Sequence, residues 1–489
     1  MMEKQKSIKF NMMMNVILTA SNFVFPLVTY SYVARILLPE GTGRVAFVQS
    51  SLAYFSYIAA LGISGYGIRE CAKVRDNRGK LSLLVQQLLT INLISTFVAY
   101  IALAVAVTIV SKFRDNAILF IVMSLSMLLQ AIGLEWLYTA LEKFAYITVR
   151  SIIFKIIAVI LTFAFVRDQN DVVVYGAITI FTTSASNVLN FFNARKYIDF
   201  KRIRLNGLVV HLKPIMVFFM SSMIISIYGQ FDTVMLGFMK NDSEVGIYNA
   251  AVKMKGIVLS VSTAVTSVLI PRMSVYFSRG EKNLFNDLLL KSVRVTCLFL
   301  IPLSAFVAIN ATDVLLLVCG EKYVSATPTL VILMLCCVAL SLTNLLGNQV
   351  LIPTGKEKRY SMSVFIGMWI NLTLNTLWIP SLASVGAAIA TLTTETFNVV
   401  WMGLGCKDEV KYVCKHLGIQ RYLISLGISS VLCFALRHYM GNLSVFLRLV
   451  LCTLLMFGVY YSALIIQRDP LIISMKDMIK NLMKKRYNK

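Results

Sequence analysis

Long apolar runs separated by short polar segments fill the chain from residue 10 onwards. A helix needs roughly 20 apolar residues to cross a hydrocarbon core. Six runs that reach or approach this length lie at 10–33, 45–66, 83–110, 117–139, 145–166 and 172–193. Six more lie at 214–238, 246–270, 292–310, 324–351, 360–380 and 384–404, and two follow at 422–437 and 444–466. A closed β-barrel would instead write itself as short alternating segments. The pattern predicts an all-α membrane protein of about fourteen transmembrane helices.

The polar segments then set the orientation. With the N-terminus inside, the expected cytoplasmic segments carry 34 of the 47 Lys and Arg residues and the outer loops carry 8. The excess alternates loop by loop, as the positive-inside rule requires. Both termini are therefore expected in the cytoplasm. A formal charge of +24 over 489 residues could also suit a nucleic-acid partner. Its confinement to alternate loops gives it a topological origin instead, and no nucleic acid is expected. The basic start of the chain runs straight into the first apolar run with no small-residue cleavage site, so it is read as a retained span.

Composition agrees, with 58% hydrophobic and 14% charged residues and a mean hydropathy of +0.75. No expected loop is long enough for a soluble catalytic domain. HExxH, GxSxG and Walker sequences are absent, and the three His residues are far apart. The nine Cys residues show no metal spacing and read as small apolar packers. The expectation is a transporter with no enzymatic activity, metal or cofactor. An internal repeat is also visible. Arg35–Gly43 and Leu236–Gly246 each end a long helix, pass an acidic turn and open the next helix with Gly. Aligning Gly43 with Gly246 offsets them by 203 residues.

Polar stripes inside spans mark helix interfaces or a water-filled cavity, because lipid accepts only apolar faces. Asn11, Asn15, Thr19, Asn22, Pro26 and Thr29 fall on one face of span one. Asn249, Lys253, Gly256, Ser260, Thr263 and Ser267 do so in span eight, and Ser184, Asn187, Asn190 and Asn193 in span six. Charges at depth are costlier still. Asp232 and Lys253 both lie roughly 10 Å from the outer interface at 1.5 Å per residue, so they are expected to pair. Lys155 and Glu395 lie at mid-depth and Glu135 near the inner end of span four. Each could be a structural ion pair. Arg294 and Arg448, near span ends, read as snorkelling.

Several short segments carry a family resemblance in a constant order. They are Gly65-Tyr-Gly-Ile-Arg-Glu-Cys-Ala-Lys73, Gly133-Leu-Glu-Trp136 before Glu142-Lys-Phe144, and Lys155. Phe231-Asp-Thr-Val-Met-Leu-Gly237, Gly246-Ile-Tyr248, Gly347-Asn-Gln-Val-Leu-Ile-Pro-Thr-Gly-Lys356 and Gly386-Ala-Ala-Ile-Ala390 before Glu395 complete the set. The chain resembles the bacterial polysaccharide flippases, the Wzx-type members of the multidrug/oligosaccharidyl-lipid/polysaccharide exporter superfamily. The resemblance implies two six-helix lobes, 1–200 and 201–405, around a central cavity. Two additional helices and a basic cytoplasmic tail would occupy 406–489. The implied substrate is an oligosaccharide on undecaprenyl pyrophosphate, flipped from the inner to the outer leaflet of the bacterial cytoplasmic membrane by alternating access. The implied product is O-antigen, capsule or exopolysaccharide, with the polymerase and other assembly proteins as possible partners.

On this reading Lys155 and Lys253 hold the pyrophosphate, and Asn22, Asn187 and Asn249 meet the sugars. Asp232, Glu135 and Glu395 supply a charge pair or coupling. Two rivals stay open. A drug–cation antiporter of the same superfamily would call for a carboxylate-rich cavity and usually twelve spans. A membrane-embedded glycosyltransferase or ligase would call for a large outer loop or a catalytic carboxylate motif. The topology is checked with reporter fusions. Those after Lys80, Lys213, Lys291 and Lys415 should read cytoplasm, and those near Arg114, Lys240 and Lys322 outside. Two neighbouring fusions reading the same side would break the count of fourteen.

Overall fold

A computed structural model describes residues 8–200 and 207–474. Among the described residues there are helices and no strands, and they fall into two compact units, Met1–Asn249 and Ala250–Lys489. In the first unit the helices are α1 (Ile8–Ala60), α2 (Ile63–Val74), α3 (Arg78–Ile109), α4 (Ala117–Gly133), α5 (Glu135–Ala140) and α6 (Phe144–Phe165). Then come α7 (Val172–Ala194), α8 (Leu208–Tyr228), α9 (Phe231–Met239) and α10 (Asp242–Ser278), whose later turns belong to the second unit.

Ten described helices are long and apolar enough to cross a membrane. Two of them hold two sequence runs each. In α1 the division falls at Leu38, whose backbone is non-helical at φ 58 and ψ 178. Pro39 explains it, since a proline disfavours helical backbone at the residue before it and is well placed to open the next helix. The run at 117–139 also breaks. Leu134 takes a left-handed backbone at φ 47, so α5 starts in a new direction at Glu135. At one end of this unit, Ile63, Leu88, Trp136, Leu137, Ile198 and Ile215 form a continuous buried cluster. Ion pairs rim that end, Arg75 with Glu142 at 2.9 Å and Arg78 with Asp199 at 2.8 Å.

The repeat seen in the sequence returns as a contact. A Cβ on Gly43 would collide with the carbonyl oxygen of Asp242, and a Cβ on Gly246 with that of Pro39. Residues 39 and 242 are themselves 203 positions apart, so the contact maps onto itself under the offset. Only glycine allows two helix starts to cross this closely. Lys112 adds an ion pair to Asp242 at 2.7 Å.

The second unit continues with α11 (Lys282–Ile309), α12 (Ala311–Val318), α13 (Glu321–Leu351) and α14 (Glu357–Gly403). The helices α15 (Lys407–Leu417), α16 (Ile419–Tyr439) and α17 (Val445–Ile466) close it. α14 is the other double-length helix, divided at Ala383 (φ 50, ψ −127) three residues after Pro380. The intervals 271–291 and 405–421, expected as loops, are largely helical through α10, α11 and α15. Hydropathy registers only the apolar part of a helix, whereas the backbone bonds continue into water. Arg448 is no snorkelling side chain. Its Nε donates to Asp313 Oδ2 at 2.8 Å, its Nη2 reaches Oδ1, and Arg437 lies 3.4 Å from the same carboxylate. Asp313 is buried, so this bidentate pair ties α17 to α12. Arg294 donates to the His416 carbonyl at 2.8 Å.

The glycine crossing makes a direct prediction. Gly43→Ala and Gly246→Ala should each cut the yield of folded, detergent-stable protein severely, because the obstructing atoms are backbone. Gly256→Ala, where a Cβ meets nothing within 4 Å, should leave it unchanged. Size-exclusion profiles of the three variants check this.

Candidate functional site

The first unit holds a partly open cavity of about 290 Å³ with a mixed lining. It lies between α1, α2, α3, α4, α5 and α7, where Ser56, Ser64, Asn92, Thr96, Gln130, Glu135, Trp136, Thr183 and Asn187 alternate with Ala59, Ile63 and Met127. A second space of about 250 Å³ shares Ser56, Gln130 and Thr183 with it and adds Gln49, Tyr57, Ser126 and Thr179. Most of these side chains are neutral hydrogen-bonding groups. They lie on helices whose outer faces are Ile, Leu, Val and Phe, such as Ile94, Phe97 and Val98 on α3.

Local backbone features aim them inward. A π-helical turn at Phe181–Ala185 interrupts α7 immediately before Asn187, and such turns recur at functional sites. Gly133 lets Asn187 approach, since a Cβ there would stand 2.5 Å from the Asn187 Cγ. The left-handed turn at Leu134 directs Glu135 and Trp136 into the space. Gly67 offers a flat seat for the indole, 2.7 Å from its own would-be Cβ.

The wall is incompletely satisfied. Asn92 donates its amide to the Ala131 carbonyl at 3.2 Å, yet its Oδ1 is buried with no hydrogen-bond partner among the described residues. The same holds for Asn187 Oδ1 and Trp136 Nε1. An unpaired polar atom in a low-dielectric interior costs about 1–3 kcal/mol. Two acceptors and one donor on side chains that line one cavity are thus unmet, each atom just beneath the cavity surface.

The charges expected from sequence distribute as follows. Glu135 lines the cavity and accepts from Arg150 Nη2 at 2.9 Å. Lys155 is buried on α6 and donates to Ser21 Oγ of α1 at 2.7 Å; it does not line the cavity. Asp232 on α9 accepts from the Tyr248 hydroxyl at 2.6 Å. Asn249 and Lys253 are half-buried on α10, and Glu395 is buried on α14 in the second unit. The Asn22 side chain lies outside the described residues. Of the predicted set, the first unit thus brings Glu135 and Asn187 to one cavity and places Lys155 on a different contact.

Sequence reasoning missed Asn92, Gln130 and Trp136 as lining, and gave Arg150, near the start of the run 145–166, no role. Asn92 and Gln130 had a signal, being polar within runs that are otherwise apolar. Arg150 had none, because charge near a span end is ordinary.

Long apolar helices around an incompletely satisfied cavity define a multi-pass membrane transporter. Comparison with known proteins agrees. The chain is 24% identical over 416 residues to a "Putative O-antigen transporter" of Escherichia coli (strain K12), covering 83% of this chain and 99% of that one. It is 26% identical to a protein of the same name from Shigella dysenteriae over 406 residues, 81% and 98% of the two chains. Among solved structures it superposes on a lipid II flippase in an inward closed conformation with a TM-score of 0.71. That match has 15% identity and covers 93% of this chain and 99% of that one. An inward-facing multidrug resistance MATE transporter gives 0.62 at 13% identity, covering 82% and 99%. These two likenesses show the transporter fold. Residues 8–277 match the family described as "Polysaccharide biosynthesis protein", and the chain belongs to that family.

The packing of Gly133 on Asn187 is open to test. Gly133→Ala should lower stability by about 1–3 kcal/mol through overpacking. Gly133→Ala/Asn187→Ala should recover most of it. Additive losses in the thermal-unfolding cycle would show that the two do not touch.

Proposed function

We propose that the protein is a flippase for oligosaccharide repeat units carried on undecaprenyl pyrophosphate. It moves them by alternating access from the inner to the outer leaflet of the bacterial cytoplasmic membrane, for surface polysaccharide assembly. The observation that carries this reading is the cavity within the bilayer-spanning helices, whose lining includes Ser, Thr, Asn and Gln, with donors and acceptors left unmet among the described residues. Sugars bring hydroxyl groups that both donate and accept, and so fit such a wall. A bare sugar in hydrocarbon would forfeit those bonds. The names of the bacterial relatives, which match over almost their whole length, support the same substrate class.

An antiporter for organic cations fits less well. Among the described residues Glu135 is the one carboxylate lining the cavity, and it pairs with Arg150. In the flippase, the anionic head group requires cations, and Lys155 and Lys253 are the side chains proposed to hold it. Neutral sugars fall to Asn187 and its neighbours. The polymerase of the same pathway is the natural recipient of the flipped unit.

A strain lacking its own flippase, supplied with a defined repeat unit, tests the proposal. The wild-type chain should restore surface polysaccharide. Lys155→Ala and Lys253→Ala should instead leave lipid-linked units in the inner leaflet, at unchanged protein level. Full polysaccharide from the double variant would remove the lysines from substrate binding, and failure of the wild type with every repeat unit offered would remove the proposal.

A further inference from the structure

The ion pair at the cavity wall is lopsided. The Arg150 side chain is only 4% exposed, whereas that of Glu135 is 57% exposed. The two meet through a single hydrogen bond, Arg150 Nη2 to Glu135 Oε1 at 2.9 Å. Arg150 Nε and Nη1 are buried with no hydrogen-bond partner among the described residues. A guanidinium carries five donors in a planar fork, and burying them unmet is costly. A structural pair would be expected to use the fork in two parallel bonds, as Arg448 does with Asp313 in the second unit. Here the fork is held in place, with the Arg150 guanidinium 5.8 Å from the Tyr146 ring centre, and left largely empty.

The counter-ion is also unusually free to leave. Glu135 begins α5 directly after the left-handed turn at Leu134 and contributes to the cavity lining. Arg150 itself is not among the residues lining that space, so the fork lies behind Glu135 and is reached only when that side chain rotates away. Asn92, Asn187 and Trp136 line the same cavity, each with one buried atom unmet among the described residues. A phosphate presents several oxygens in tetrahedral array and can engage the fork bidentately where this carboxylate engages it once.

From this arrangement we propose that Glu135 is a resident stand-in on Arg150, displaced when the phosphate of a glycosyl phosphate enters the cavity. Its sugar ring then satisfies Asn92, Asn187 and Trp136. The inference deepens the flippase reading by naming a sugar–phosphate junction as what this cavity takes. It makes Arg150 a substrate-binding residue and Glu135 its internal competitor. When the substrate leaves, the carboxylate returns, so the buried cation is never without an anion and release is not opposed by an orphaned charge.

The competitor role has a signature that a structural pair lacks. Removing a structural Glu135 should cost folded, detergent-stable protein, whereas removing a competitor should leave the protein folded and the phosphate site stronger. The test is calorimetric titration of the purified full-length protein in neutral detergent with glucose 1-phosphate, inorganic pyrophosphate, glucose and phosphatidylglycerol. Wild type should bind glucose 1-phosphate weakly, and Glu135→Gln about tenfold more tightly, the scale of one charge-assisted bond. Pyrophosphate should show the same gain, and glucose alone no gain. Glu135→Gln/Arg150→Gln removes both charges, so no cation is stranded, and it should lose the phosphate-dependent binding. An unchanged or weaker affinity in Glu135→Gln would overturn the proposal, as would undiminished binding in the double variant. Phosphatidylglycerol matching glucose 1-phosphate would also overturn it, making this a lipid head-group site. None of these readouts depends on polysaccharide export, so the flippase proposal stands or falls separately.

Discussion

Hydrocarbon gives a polar group nothing to bond to, and the architecture follows from that lack. Backbone amides within the bilayer must be satisfied inside their own segment, which leaves helices as the form taken by a chain with these apolar runs. Side chains obey the same rule. Ser95 donates to the Ala59 carbonyl at 2.6 Å, Tyr138 to the Asn190 carbonyl at 2.6 Å, and Tyr32 to the Val166 carbonyl at 2.9 Å. The first two bonds join two helices, and the third ties α1 to the residue that follows α6. Polar groups thus do at depth what apolar groups do in a water-soluble core, holding elements together where no hydrophobic force acts between helices.

Close approach is the second means of cohesion. At Gly43 and Gly246 two helix starts cross so tightly that carbonyl oxygens occupy the places of side chains. The reciprocity of that contact under a 203-residue offset reflects the repeat written in the chain. A charged version of the same economy holds Asp313 between Arg448 and Arg437, a buried carboxylate made tolerable by two cations.

Buried polar atoms without partners among the described residues occur in both units, for example on Gln349 and Asn310 in the second, and those that matter here are the ones gathered around one cavity. Among the described residues, Asn92, Asn187, Trp136 and Arg150 keep buried atoms without partners on or behind one cavity wall. A membrane protein can sustain that deficit where a polar guest is to come and go. A site fully satisfied by its own residues would have nothing to gain from a sugar, and one lined by apolar groups would exclude it.

Much of the fold was legible in the chain. The apolar runs located the helices, Pro39 and Pro380 lay close to the breaks in α1 and α14, and the two glycines marked the repeat. Loops were read less well at 271–291 and 405–421, since hydropathy is blind to a helix that has left the membrane. The site was legible only in part. Asn187 stood out on its stripe, and Glu135 as a charge within a run. Their meeting in one cavity depends on a left-handed turn at Leu134 and a π turn at Phe181–Ala185, which no periodicity announces. Sequence by itself determined that this chain is helical and membrane-spanning, because transfer into hydrocarbon is a property of each residue. Which polar atoms would be paired and which left open was decided by the tertiary structure alone. A hydrogen bond needs two groups within about 3 Å of one another, and neighbours that close are set by how distant helices pack.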